Sequence, residues 1–121
     1  MMSEGRGAIS RQSFAFAVTI VNLYKSLIGE KKEFVMSKQL LRSGTAVGAL
    51  VREAQNAESK ADFVHKLAIA QKECDESIYW LELLLETKYL NDLEFSEIEE
   101  KASSILKMIR SAILTTKSKN S

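Results

Sequence analysis

The most reactive side chains of this 121-residue sequence are its single cysteine, Cys74, and its single histidine, His65. A thiol nucleophile needs a base beside it, and a di-metal carboxylate bundle needs two Glu-x-x-His motifs. One histidine cannot supply the metal set. A separation of nine residues also places Cys74 and His65 on opposite sides of a helix. We therefore predict no enzymatic activity, no catalytic residue, and no metal or cofactor. Cys74 is interpreted as a small core residue.

Charged residues are predicted to pair across a helical hairpin. If the chain turns at residues 57–59, residues that face each other have numbers summing to about 116, so Arg42 comes level with Cys74. The predicted pairs are Arg42 with Glu73 and Glu76, and Glu53 with Lys66. They would fix the register of the hairpin or bridge subunits, and ligand binding is the alternative. Replacing Arg42 by alanine should cost ~2–4 kcal/mol if its carboxylate partner is buried. At the surface the loss should stay within ~0.5 kcal/mol.

Basic residues are the candidates for nucleic-acid binding, although no base-reading motif accompanies them. One group lies in the first half of the chain: Lys25, Lys31, Lys32, Lys38, Arg42 and Arg52. The other, which we favour as a site, is the terminal set: Arg6, Arg11, Arg110, Lys117 and Lys119. The two termini of an antiparallel four-helix bundle emerge at the same end, so the terminal set can form one patch. In an oligomer, copies of a weak patch act together.

The charge is unevenly distributed, although the formal net charge is only +1. Residues 25–52 carry six basic and two acidic groups, residues 53–100 carry four and thirteen, and residues 101–121 carry five and none. Such asymmetry can attract nucleic acid. The alternative is that opposite segments neutralise each other when the helices pack. One cysteine and no apolar run of membrane-spanning length favour a cytoplasmic protein.

The composition and periodicity indicate an all-α, antiparallel up-down-up-down four-helix bundle. The chain has no proline and five glycines, and apolar residues recur at spacings of three and four. We predict helices at about 10–28, 32–57, 60–88 and 94–116 within a domain of residues 10–117, with disordered tails at 1–9 and 118–121. Ser59 and Asn91 are the expected caps. Gly29 is expected to end the first helix, as glycines that adopt positive φ often do.

The middle of helix 2 is built from small residues, including Gly44 and Gly48. Each mid-helix glycine costs roughly 1 kcal/mol relative to alanine. We expect a neighbouring helix to approach closely there, with a bulky side chain filling the space.

Helix 3 is apolar over more than half of its circumference. Its predicted core stripe recurs at spacings of four and three and consists of Phe63, Leu67, Ala70, Cys74, Ser77, Leu81 and Leu84. Ile69, Trp80 and Leu83 lie ~100–160° away from this stripe on a helical wheel. A helix at the corner of a monomeric bundle needs a narrower stripe. These three residues are therefore predicted to form a contact between copies in a ring-like homo-oligomer. The alternative is that Trp80 covers an edge of its own bundle.

The stretch from Gln39 to Leu84 resembles the bacterial four-helix-bundle family of proteins encoded in intervening sequences of 23S ribosomal RNA genes. The resemblance rests on four motifs: Gln39-Leu40-x-Arg42-Ser43, Arg52-Glu53-Ala54, Ser59-x-x-Asp62-Phe63, and Glu76-x-x-x-Trp80-Leu81-Glu82-Leu83. It implies a bundle assembled as a pentameric ring, with no catalytic activity. Accessory proteins of diversity-generating retroelements are related, and their basic surfaces engage RNA and a reverse transcriptase. Leu50 departs from the family pattern, which often has asparagine there.

Together, these observations predict a non-enzymatic, homo-oligomeric scaffold that binds RNA or a ribonucleoprotein. No membrane and no small-molecule substrate are expected. The alternative is a protein–protein adaptor without nucleic-acid contact.

Overall fold

A computed structural model describes residues 4–119, with side chains from residue 7 onward. It contains four helices: α1 (Glu4–Gly29), α2 (Met36–Gln55), α3 (Lys60–Glu86) and α4 (Asp92–Ser118). Each helix packs against the next one along the chain, and α1 also packs against α4 through a smaller contact. The connections span only a few residues, so neighbouring helices run antiparallel. The predicted all-α four-helix bundle is therefore confirmed, and no strand occurs within residues 4–119.

One core runs along the bundle axis and takes residues from all four helices. Its largest fully buried side chains include Phe16 and Ile20 of α1, Val47 of α2, Leu81 of α3 and Ile109 of α4. These residues belong to the apolar stripes predicted for each helix. Within residues 4–119, none of the four helices contains an apolar segment long enough to cross a bilayer.

Helix α1 begins at Glu4, six residues before the predicted start. The expectation of an unpacked tail over residues 1–9 is wrong for residues 4–9, which are helical, while residues 1–3 lie outside the described residues. Ile9 explains the difference, because it is buried and joins the same core cluster as Phe16. The tail predicted for 118–121 also changes, because Ser118 is still helical and residues 120–121 lie outside the described part.

Helix α2 begins at Met36 rather than at residue 32. Lys32 has a φ of 57°, a left-handed conformation that interrupts any helix. The carboxylate of Glu33 then accepts hydrogen bonds from the backbone N–H groups of Val35, Met36 and Ser37, at 3.1, 3.0 and 2.6 Å. Three of the donors that a helix start leaves without partners are thereby satisfied by one buried side chain. No local sequence pattern identifies Glu33 as this cap.

The two predicted N-terminal caps form, but Gly29 does not have the role predicted for it. Ser59 accepts a hydrogen bond from the N–H of Asp62 at 3.0 Å, and Asn91 forms a capping box with Glu94. No described glycine has a positive φ, so Gly29 does not end α1 in the way expected. The left-handed residue that terminates α3 is Lys88, with a φ of 73°. The N–H groups of Lys88 and Tyr89 bond the carbonyls of Leu85 and Leu84, which is a Schellman motif.

The close approach predicted at the glycines of α2 is confirmed, and the neighbour is α1. A Cβ atom placed on Gly44 would lie 2.8 and 2.9 Å from the two γ-carbons of Ile20. A Cβ on Gly48 would lie 3.2 Å from the carbonyl oxygen of Ser13. Two glycines one helical turn apart therefore set the distance between α1 and α2, and Ile20 is the bulky residue that fills the space.

Candidate nucleic-acid interface

The two ends of the bundle carry opposite charge. We define the basic end as residues 7–12, 47–68 and 110–119, where α1 and α3 begin and α2 and α4 end. It holds seven cations and three carboxylates, a net charge of +4. The acidic end, residues 21–44 and 78–100, holds six cations and nine carboxylates, a net charge of −3. The folded chain thus separates charge along its axis instead of neutralising it fully between helices.

The terminal set of basic residues lies at the basic end. Arg11 lies on the first turns of α1, Arg110 and Lys117 lie on the last turns of α4, and Lys119 follows α4 directly. All four are exposed, and none of them forms an ion pair with another described residue. The side chain of Arg6 lies outside the described residues. The structure therefore places together four free cations that are far apart in the sequence.

The other basic group is divided between the two ends. Lys25, Lys31, Lys32 and Lys38 lie at the acidic end, and Arg42 is occupied by carboxylates of α3. Only Arg52, in the last turn of α2, belongs to the basic end. It is exposed and forms no ion pair with a described residue, so it adds a fifth free cation to the terminal set.

An open groove of about 840 Å³ lies between α1 and α2 and reaches the start of α3. Its apolar part consists of Phe14 and Ala17 from α1, with Gly48 and Ala49 from α2. Phe14 is 60% exposed. The small residues of α2 lie opposite it because α1 and α2 approach closely at Gly48. The groove is therefore lined by an exposed aromatic residue on the α1 side, and its apolar part has no bulky side chain on the α2 side.

Polar groups complete the lining of the groove, and all of them except Thr45 belong to the basic end. They are Ser10, Thr45, Arg52, Glu53, Asn56, Glu58, Asp62 and Lys66. Arg52 is the only cation among them without a carboxylate partner in the described structure, since Lys66 pairs with Glu53. The Asp62 carboxylate accepts a hydrogen bond from the N–H of Glu58 at 3.3 Å. The groove thus combines one free guanidinium, two carboxylates at the start of α3, and the ring of Phe14.

Both predicted charge pairs form between α2 and α3. Arg42 Nη1 lies 3.1 Å from Glu73 Oε1, and the other guanidinium nitrogen bonds Glu76. The indole N–H of Trp80 also donates to Glu76 at 2.9 Å. The bonds from Trp80 and then Arg42 lower the pKa of Glu76 below its ordinary value. Arg42 of α2 is therefore linked to Trp80 of α3 through Glu76.

This network lies at the surface. The side chains of Arg42, Glu73 and Glu76 are 49%, 22% and 36% exposed. Within one chain, the surface alternative therefore applies to Arg42. Exposed ion pairs contribute little because water screens them and both side chains lose freedom.

We expect Arg42→Ala to lower the free energy of unfolding by about 0.5 kcal/mol, because both ion pairs of the guanidinium are exposed. Urea denaturation at low and high salt measures this. Arg52→Ala, which removes an exposed and unpaired cation of the same helix, is the control and should change stability less. A loss above about 2 kcal/mol for Arg42→Ala would show that the network is buried, for example between subunits.

The second pair, Lys66 Nζ to Glu53 Oε1 at 3.0 Å, crosses the hairpin near its turn. The bond to Glu53 raises the pKa of Lys66. The hairpin also contains a buried polar contact that was not predicted. The hydroxyl oxygens of Ser43 and Ser77 lie 3.0 Å apart, and both residues are fully buried. The only signal for this contact in the sequence is that Ser43 and Ser77 occur at the same helical spacing as the buried apolar residues of α2 and α3.

Cys74 is buried in the core, as expected, and its Sγ lies 3.4 Å from the carbonyl oxygen of Ala102. Burial raises the pKa of this thiol to about 12, so it stays protonated at neutral pH. His65 is exposed on α3. Among the described residues, no group of three His, Cys, Asp or Glu side chains could hold a metal ion.

The residues predicted to contact another copy, Ile69, Trp80 and Leu83, are half-buried. Trp80 packs against the core and meets Tyr79 edge to face, with ring centroids 4.9 Å apart. The most exposed large apolar side chains lie elsewhere: Phe14, Val18, Phe34, Val35, Tyr79, Leu93 and Leu114. Phe14 was not predicted as a surface residue. The spacing could have shown it, because Phe14 and Phe16 are two residues apart and cannot both face the core.

The fold and this surface define a four-helix bundle with one basic end. The chain belongs to the 23S rRNA-intervening sequence protein family, whose sequence model matches residues 7–111. This membership confirms the family that the motifs indicated.

The chain is similar over nearly its whole length to a solved structure. That structure is the crystal structure of a protein with unknown function from the S23 ribosomal protein family of Bacteroides thetaiotaomicron VPI-5482. The two sequences are 50% identical, the TM-score is 0.89, and the match covers 90% of this chain and 97% of that one. A comparison with curated proteins gave no match.

Proposed function

We propose that this chain is a non-enzymatic, cytoplasmic scaffold that assembles into a ring-like homo-oligomer, a pentamer by the resemblance, and binds RNA or a ribonucleoprotein through its basic end. The observation that carries the proposal is the net charge of +4 at one end of the bundle and −3 at the other. Phosphates attract such a surface irrespective of sequence. Five free cations from α1, α2 and α4 provide the contacts: Arg11, Arg52, Arg110, Lys117 and Lys119.

Assembly would make this weak electrostatic attraction effective. Each subunit offers only a few cations, which by themselves give modest affinity at physiological salt. If copies pack side by side with their axes aligned, their basic ends lie on one face of the ring. One RNA can then contact several subunits, and the effective concentration of the second and later contacts is high.

The test is association with structured RNA, measured with the native assembly over a series of salt concentrations. We expect the logarithm of the binding constant to fall linearly with the logarithm of the salt concentration. A triple variant, Arg110→Gln with Lys117→Gln and Lys119→Gln, should weaken binding and reduce this slope. The matched control replaces Lys25, Lys31 and Lys38 at the acidic end and should leave the slope unchanged. Absence of salt-sensitive binding by the wild-type assembly would refute the RNA proposal.

The subunit contact is tested separately with Trp80→Ala. We expect the mass of the native assembly to fall, because the substitution removes the largest apolar side chain of the predicted contact with Ile69 and Leu83. Sedimentation measures the mass, and circular dichroism checks that the helices persist. Leu93→Ala, an exposed apolar residue of α4, is the control. An unchanged assembly for Trp80→Ala would mean that the residue only covers its own bundle.

The competing function is a protein–protein adaptor without nucleic-acid contact. The exposed apolar side chains of Tyr79, Leu93 and Leu114 are the observation that favours it. These residues lie on α3 and α4, away from the groove beside Phe14. An assembly that ignores RNA at every salt concentration, yet loses a cellular partner when these residues are changed to serine, would favour the adaptor.

A further inference from the structure

We propose that the groove between α1 and α2 binds an unpaired RNA base, with Phe14 stacking on the base and Arg52 holding the adjacent phosphate. This inference rests on the proposed RNA-binding function and adds to it a site with a preference for single strands.

The position of Phe14 is the first argument. Phe14 lines the groove and is 60% exposed, whereas Phe16 and Ile20 on the core side of α1 are fully buried. An exposed aromatic face beside a positively charged surface is the arrangement by which proteins stack on bases of single strands. The opposite wall consists of Gly48 and Ala49, so no bulky side chain of α2 occupies the space next to the ring.

The position of Arg52 is the second argument. It is the cation of the groove that has no carboxylate partner in the described structure, and it lies one turn beyond Gly48 on α2. Because Gly48 lies beside Ser13 and the helices run antiparallel, Arg52 comes level with the turn of α1 that holds Ser10 and Arg11. The free guanidinium of Arg52 therefore stands where the groove opens toward the basic end.

The carboxylates of the groove restrict how a strand can lie in it. Glu58 and Asp62 line the side formed by the start of α3, and they would repel a phosphate. The backbone of the strand must therefore follow the side of Arg52. A base that stacks on Phe14 from there can present its amino group to a carboxylate, which accepts such hydrogen bonds.

Size and charge decide between RNA and other occupants. A groove of about 840 Å³ is in the range of sites for small ligands and single groups, and it is smaller than a helix-binding face. Its lining holds two cations and three carboxylates, but it adjoins the end of the bundle with net charge +4, which attracts an anionic chain. An acidic or apolar helix would need a longer apolar surface than the groove offers. A second copy of this chain in the groove is the competing occupant.

The experiment compares three variants of the full-length assembly with short single-stranded RNA and with the same sequence as a duplex. Phe14→Ala should weaken binding of the single strand about tenfold and leave the salt dependence unchanged, because stacking involves no phosphate. Binding of the duplex should change little, since its bases are already stacked. Arg52→Gln should instead reduce the salt slope for the single strand by about 0.7, the value for one lost phosphate contact.

Phe34→Ala is the matched control. Phe34 is 59% exposed, nearly the same as Phe14, but it lies in the connection between α1 and α2 at the acidic end. It should leave the affinity for both RNA forms unchanged. The mass of every variant assembly is measured in parallel, and a fluorescent base analogue reports stacking directly through quenching by wild type and loss of quenching in Phe14→Ala.

Each outcome decides the proposal. If the wild-type assembly binds RNA but Phe14→Ala behaves like Phe34→Ala, the groove is not a base site and the proposed function stands. If Phe14→Ala weakens the single strand and the duplex equally, a stacking site is refuted. If Phe14→Ala lowers the mass of the assembly, the groove is a contact between copies. If the wild type binds neither form of RNA, the groove and the proposed function fail together.

Discussion

Replacing Gly44 by valine should lower the free energy of unfolding by about 3 kcal/mol, the largest loss that we expect from any single substitution at the α1–α2 contact. A Cβ at this position would lie 2.8 Å from one γ-carbon of Ile20, 2.9 Å from the other and 3.2 Å from its Cβ. Ile20 is fully buried, and its branched side chain cannot swing away from all three contacts. The helices must therefore separate, which opens the core and widens the groove beside Phe14.

Gly29→Val is the control for this prediction, because no atom lies within 4 Å of a Cβ placed there. It should change stability by less than about 0.5 kcal/mol. A double-mutant cycle with Ile20→Ala then tests the cause, since residues in contact show coupling energies. In the Ile20→Ala background, Gly44→Val should be far less destabilising because the clashing γ-carbons are absent. Equal losses in both backgrounds would show that the clash with Ile20 is not the reason.

Replacing Glu33 by glutamine should lower the free energy of unfolding at neutral pH by about 2 kcal/mol. One carboxylate oxygen accepts from the N–H of Ser37, and the other accepts from the N–H groups of Val35 and Met36. Glutamine keeps the size of the side chain but turns one acceptor into an NH2 donor, which faces at least one N–H group. It also removes a negative charge from the start of α2, where the helix dipole stabilises it.

The contribution of Glu33 should disappear in acid. Burial raises the pKa of Glu33, but the N–H groups of Ser37, Met36 and Val35 outweigh it, so the pKa lies below the ordinary value of 4.5. A carboxylate whose pKa is lowered by folding adds stability that is fully present above its unfolded pKa. This stability is lost as the pH falls through the lower, folded pKa. The difference in stability between wild type and Glu33→Gln should therefore be constant above about pH 5.5 and shrink as the pH falls below 4.5.

Glu30→Gln is the control for Glu33. Glu30 is an exposed carboxylate of the same connection, and it accepts a hydrogen bond from the hydroxyl of Ser26 at 3.1 Å. Its substitution should change stability by less than about 0.5 kcal/mol. Urea denaturation of both variants from about pH 3 to about pH 7 makes the comparison. A pH-independent loss for Glu33→Gln would mean that shape, and not the charge that accepts three N–H bonds, explains its contribution.

Part of this chain follows from the sequence alone. Helical periodicity defines one core stripe per helix, and stripes such as the one from Phe63 to Leu84 leave little choice of fold. Ser59 and Asn91 locate two helix starts because a cap acts on donors only two or three residues away. The hairpin register follows from the length of one short turn, which is why the pairs of Arg42 and Glu53 were predictable. The motifs between Gln39 and Leu84 also sufficed to indicate the family.

Only the tertiary structure decided the rest, because the relevant neighbours are distant in sequence. Glu33 caps α2 from a position that the left-handed Lys32 creates, and nothing in its local pattern distinguishes it from Glu30. The groove forms where Gly44 and Gly48 allow α2 to pack closely against α1, and Phe14 is exposed there beside the small residues of α2. Whether the cations of one helix are neutralised by the carboxylates of another depends on which helix ends lie side by side. In this bundle the beginnings of α1 and α3 meet the ends of α2 and α4, and their cations gather at one end.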